Sequence, residues 1–187
     1  RRKVEVNMYM NGIYSNATPS SYGWVRYDSN NGAMPQQDAG DPNEYTFYYD
    51  LNKTMDHPVV PTRKGHKFLG WYLDSRWMPT LTSASNKKEL LAFWQEGNIP
   101  VEVNYSIHKD NLASTKVYSK VTADKHDEDL TEDFADALKD NGKTFWVDRD
   151  MIDAKGVRWS RLKGNKGWVK IGTATVDNES FTDGAGT

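Results

Sequence analysis

From Lys155 to Lys170 the sequence carries Lys155, Arg158, Arg161, Lys163, Lys166 and Lys170 with no Asp or Glu among them. Such a run suits anion recognition. Guanidinium forks match the planar oxygens of carboxylates and phosphates, and ammonium groups act as mobile point charges. Arg158, Arg161, Lys163 and Lys166 are therefore the candidate contacts to an anionic polymer, where several weak contacts add up through avidity. In a strand-turn-strand, alternate residues point to opposite faces, so all four cannot share one patch. This favours Arg158 together with Lys163 and Lys166. The competing reading is neutralisation or plain solvation. An acidic run precedes the basic one: Asp124, Asp127, Glu128, Asp129, Glu132, Asp133, Asp136 and Asp140.

Other chemistry is thinly represented. Asp28, Asn30 and Gly32 resemble the start of a calcium loop, but the downstream bidentate acid is missing at the required spacing. The histidines (His57, His66, His108, His126) show no i, i+4 pair, so no metal site is expected. Cysteine is absent, which excludes disulfides, thiolate zinc sites and thiol catalysis. There is neither a nucleophile elbow nor a phosphate loop, so the expectation is a non-enzyme without a cofactor.

The elements that must position these residues are short and β-rich. The chain has 187 residues, 37% hydrophobic and 12% aromatic. Aromatic side chains bury large apolar areas, so two small aromatic-centred modules fit this composition better than one large core. The net charge of -2 gives no global attraction to nucleic acid. No run of about 18 apolar residues exists to span a membrane. The chain starts at Arg1 without Met or a signal peptide and reads as a piece of a longer protein.

Alternation predicts strands over "KVEVNMYM", "GWVRYD", "EYTFYYD" and "HKFLGWYLD", with a polar loop between Ser29 and Asn43. "NKKELLAFWQEG" has helical propensity, although "LLAFW" is apolar enough for a buried strand. The pattern restarts near Gly97–Pro100 with "PVEVNYSI", which echoes the opening strand. Further strands are expected in "TKVYSKV", "KTFWVDRD", "VRWSRL" and "KGWVKIGTATV". Leu130, Phe134 and Leu138 at i, i+4, i+8 predict one short helix, capped by Thr131 and stopped at Asn141-Gly142. The tail "DNESFTDGAGT" is expected to fray.

"VPTRKGHKFLGWYLD", followed by "LLAFW", resembles the Listeria–Bacteroides repeat, the B-repeat of internalin-type bacterial surface proteins. Pro61, Thr62, Gly65, Phe68, Gly70, Trp71, Tyr72 and Trp94 carry the likeness, and His66 replaces the usual aromatic. The resemblance covers Trp24 to Trp94 and implies a small β-grasp-like sheet serving as a spacer or adhesion module. Phe68 and Trp71 then read as core. Trp77 lies outside the matched core and is the candidate sugar-stacking residue. "KTFWV", "VRWSRL" and "NKGWVKI" resemble the bacterial SH3-like domain of the Gly-Trp type through Trp159, Leu162, Gly167, Trp168 and Val169. That likeness implies a small barrel, with the acidic helix as an insertion, recognising cell-wall polymers.

The expected fold is mainly β: a β-grasp-like module over residues 1–97, then an SH3-like small β-barrel with a short helical insertion over 98–187. The expected function is a non-catalytic extracellular region of a Gram-positive surface or secreted protein, serving cell-wall attachment, spacing or adhesion. Its partner would be a cell-wall polymer or a host or surface glycan, with no nucleic acid and no membrane span. The alternative is an accessory carbohydrate-binding region of a secreted polysaccharide-acting enzyme.

Overall fold

The structure, a computed structural model, describes residues 21–108, 115–141, 144–173 and 182–183. The chain divides between Trp94 and Gln95 into two compact units. The opening strand expected over "KVEVNMYM" lies outside the described residues.

In the first unit, strands β1 (Tyr22–Asp28), β2 (Glu44–Asp50), β3 (His66–Leu73), β4 (Arg76–Trp77) and β5 (Lys88–Glu96) form one sheet in the order β2-β1-β5-β3-β4. β1 and β2 pair as antiparallel strands, with Tyr22 opposite Asp50 and Asp28 opposite Glu44. β1 runs parallel to β5, with Val25 beside Lys88. Placing the first and last described strands side by side at the centre of a mixed sheet is the β-grasp arrangement. Period-two alternation decides which face is buried. Val25 and Tyr27 of β1, and Tyr45, Phe47 and Tyr49 of β2, enter the core.

Residues 51–65 link β2 to β3 and send Val59 into the same core. The Trp71 indole N–H donates to the Val59 carbonyl at 3.1 Å, so the largest core side chain also satisfies its polar atom. Phe68 lies edge-on to Trp71 at 5.3 Å and 5.6 Å from Trp94, and Tyr27 meets Trp71 at 4.6 Å. Gly70, just before Trp71, adopts φ 139°, which a side chain would strain. β5 is a strand despite its helical composition. Pairing with β1 and burial of Leu90 and Ala92 outweigh propensity differences of a few tenths of a kcal/mol per residue.

In the second unit, β6 (Val101–His108), β7 (Val117–Tyr118), β8 (Thr144–Ile152), β9 (Val157–Leu162), β10 (Trp168–Thr173) and β11 (Thr182–Asp183) form a second sheet in the order β11-β6-β8-β9-β10-β7. Each of its pairings is antiparallel. Among the described residues this sheet does not close, so the small barrel expected from the SH3-like resemblance is replaced by an open sheet. The "TKVYSKV" strand contracts to the two residues of β7. Within the tail expected to fray, Thr182 and Asp183 pair with His108 and Ile107.

The one α-helix among the described residues, α1 (Glu128–Asn141), starts three residues before the expected cap. Asp127 caps it: its carboxylate accepts from the Leu130 N–H at 3.0 Å. Thr131 lies inside the first turn, where its hydroxyl donates to the Asp127 carbonyl at 2.6 Å and accepts from the Val117 N–H at 3.1 Å. Phe134 and Leu138 are buried as their spacing predicts, and Phe134 meets Phe145 of β8 edge-on at 5.3 Å.

Candidate functional site

The structure separates the four basic candidates into two classes. Arg158 is 2% exposed. Its guanidinium lies 3.7 Å from the fully buried Asp150 carboxylate, which also accepts from the Tyr105 and Ser160 hydroxyls. β9 is covered on both faces at Arg158, Trp159 and Ser160, and a buried cation is tolerated there only because it is paired. Arg158 is therefore part of the interior and not a surface contact, contrary to the expectation. Arg161 is half-buried and ion-paired with Asp148 at 2.7 Å. That contact ties it to β8, so it is not a free fork.

Lys163 and Lys166 remain exposed on the turn between β9 and β10. Neither makes an ion pair among the described residues. Lys163 Nζ lies 3.4 Å from the Asn104 carboxamide oxygen and 5.3 Å from the centre of the Trp146 ring. The turn is shaped by Gly164, Asn165 and Gly167, each with positive φ. At Gly167 an added Cβ would come within 2.5 Å of Val117, so this position needs glycine for space as well as for its backbone angle. Lys170 is held over Tyr118 and Trp159 at 4.7 and 5.0 Å, and takes no part in the turn.

A groove of about 930 Å³ opens beside this turn, between α1 and the β8–β9 strands. Phe134, Leu138, Phe145 and Leu162 line it, and Lys163 and Lys166 stand at it. Asp133 is the one carboxylate among the lining residues. The acidic helix and the basic turn thus meet around one groove without neutralising each other through Lys163 or Lys166.

Trp77 is half-buried in β4, opposite Tyr72, and does not present the exposed platform expected of it. Among the described residues, the exposed large hydrophobics are Val60, Ile99 and Trp146, of which only Trp146 is aromatic. Trp146 was missed by the sequence reading, yet the signal existed. In "TFWV" the buried partners are Phe145 and Val147, so alternation sends Trp146 outward.

In the calcium-like stretch, Asp28 accepts from the Asn30 N–H at 2.7 Å, and the Asn30 amide donates to the Ala92 carbonyl at 3.0 Å. The Trp94 indole donates to the Ser29 carbonyl at 2.9 Å. These bonds serve the turn and its packing against β5. His57 is partly buried between two partners: its Nε2 donates to the Met78 carbonyl at 2.6 Å, and its Nδ1 accepts from the Tyr27 hydroxyl at 2.9 Å. Burial pushes its pKa down to about 4, which keeps it neutral.

The β-grasp order, the glycine before Trp71 and the Phe68–Trp71–Trp94 cluster occur together in the first unit. Residues 24–89 match the Listeria-Bacteroides repeat domain. The repeat domain is typical of extracellular surface proteins, and its family is non-catalytic. In this copy of the repeat, Trp71 is buried with Phe68 and Trp94 packed against the same core, while Gly65 lies in an exposed turn. The chain is also 29% identical over 121 residues to a protein of Evansella cellulosilytica named "Putative membrane protein". That match takes in 55% of the chain and 17% of the relative's length. No solved structure matches the chain. Among the described residues, no helix is long and apolar enough to cross a membrane.

Proposed function

We propose that this chain is a non-catalytic extracellular region of a bacterial surface or secreted protein, in which the repeat domain spaces or adheres and the second unit attaches to an anionic cell-wall polymer. The observation that carries the binding role is the pair Lys163 and Lys166. They are exposed, unbridged among the described residues, and stand at the groove beside α1. Exposed charges separated from their partners by water are screened by salt. Binding to purified Gram-positive cell walls should therefore weaken as salt rises, and should fall when the walls are stripped of their anionic polymers. A Lys163→Glu/Lys166→Glu double variant should lose it. Binding that ignores salt, polymer removal and charge reversal would overturn the proposal.

The exposed Trp146 favours a second reading, an accessory carbohydrate-binding region of a secreted polysaccharide-acting enzyme. A catalytic domain adjoining this region in the parent protein would favour it.

A further inference from the structure

We propose that the outward face of the second sheet around Trp146 is a saccharide subsite. It would stack a pyranose ring on the indole while Lys163 holds the ring's negatively charged substituent. This rests on the anion-binding reading of the turn and deepens it, because it makes the polymer a chain of acidic sugars and not merely a string of charges.

Trp146 is 51% exposed, whereas Trp71 and Trp159 are buried at 1% and 2%. An isolated apolar side chain at a surface needs no explanation. Trp146 differs in what surrounds it. Ser106 of β6 is its cross-strand partner, Lys163 of the adjoining turn lies over its ring, and Asn104 of β6 reaches Lys163. An aromatic face flanked by an amide, a hydroxyl and a cation matches an acidic pyranose. The sugar's C–H face is apolar, its hydroxyls need hydrogen-bond partners, and its carboxylate or phosphate needs a counter-charge.

The position is rigid where it must be. Trp146 is the third residue of β8 and pairs with Ser106 of β6, and its carbonyl accepts from the Lys163 N–H at 2.9 Å, so the turn is tied to the aromatic residue. The ammonium is free to move where it must. A cation over an exposed ring is held weakly, so an anion that engages Lys163 draws it off the indole and opens the stacking face. Lys166 lies further along the same turn and can meet the charge of a neighbouring sugar. Charge recognition and stacking are then coupled.

The test uses the full chain and two probes: an oligogalacturonide, which carries both rings and charge, and inorganic polyphosphate, which carries charge alone. Affinities are measured by titration calorimetry for the wild type, Trp146→Thr, Trp146→Phe and Lys163→Glu/Lys166→Glu. Threonine keeps the β-propensity of the strand, and the melting temperature checks the fold. Trp146→Thr should weaken oligogalacturonide binding about tenfold or more, as expected for an aromatic anchor that the sugar covers, and leave polyphosphate binding unchanged. Trp146→Phe should restore most of the loss, and the double charge reversal should remove binding of both probes. If Trp146→Thr leaves the oligogalacturonide affinity unchanged, or weakens both probes equally, the subsite is overturned while the anion-binding reading stands. If the wild type does not bind the oligogalacturonide at all, the subsite is likewise overturned. If the charge reversal affects neither probe, the anion-binding reading fails.

Discussion

Two basic residues of one hairpin, Arg158 and Lys163, lead opposite lives. Arg158 is buried against Asp150, and removing one member of a buried pair leaves an uncompensated charge, which costs about 3–5 kcal/mol. Arg158→Ala should therefore lower the melting temperature of the second unit sharply. Lys163→Ala, at an exposed position, should change it little and act only on ligand binding. Equal effects in thermal unfolding would contradict the assignment. His57 offers a pH test in the repeat domain. Its pKa is about 4 when folded, against about 6.5 for a free imidazole. The unfolded chain thus binds the extra proton first as pH falls. Stability from a neutral His57 is fully present above pH ~6.5 and is lost progressively towards pH ~4, up to about 3 kcal/mol. Urea unfolding at neutral pH and near pH 4.5 should show the loss, and a His57→Gln variant should flatten it. A wild-type protein equally stable at both pH values would refute this account.

At the scale of elements, the helix and the turns depend on a few contacts that pattern alone does not reveal. The apolar spacing of Leu130, Phe134 and Leu138 locates α1 and its buried face, but its start is decided by Asp127. That cap is typically worth about 1 kcal/mol, so Asp127→Ala should destabilise the second unit by about that amount in chemical denaturation. No change would mean that water or another residue caps the helix equally well. Strand β5 shows the opposite balance. Lys, Glu, Leu and Ala favour a helix, yet the pairing partner in β1 exists only once the sheet assembles. Local propensity is weak enough for that pairing to override it.

For the whole molecule, the alternation that restarts after Pro100 marks a second sheet, and the chain divides between Trp94 and Gln95 into two compact units. Gln95 belongs with the second unit. Its buried side chain imitates a strand edge, donating to the Ile152 carbonyl at 3.0 Å and accepting from the Ile152 N–H at 2.7 Å. If the units fold independently, a piece ending at residue 97 and a piece starting at residue 95 should each show a cooperative melt. A second-unit piece that starts at residue 98 should be less stable, because Ile152 loses both bonds. Failure of either longer piece to fold would place the boundary elsewhere.

By itself the sequence determined what depends on neighbours along the chain. Period-two alternation reports which face of a strand is buried, so β1, β2, β6 and the start of β8 were legible face by face, β3 and β9 were legible as strands, and so was the Gly-Trp motif of the repeat. Tertiary structure alone decided what depends on residues distant in the chain. A run of basic residues looks uniform in sequence, but Arg158 turns inward because a buried carboxylate waits at Asp150. Arg161 is claimed by Asp148, and of the four candidates only Lys163 and Lys166 stay exposed without an ion pair among the described residues. Trp77, half-buried opposite Tyr72, escaped sequence reading for the same reason. Whether an aromatic ring is covered depends on what the sheet brings over it, and that is unknown until the strands have found their partners.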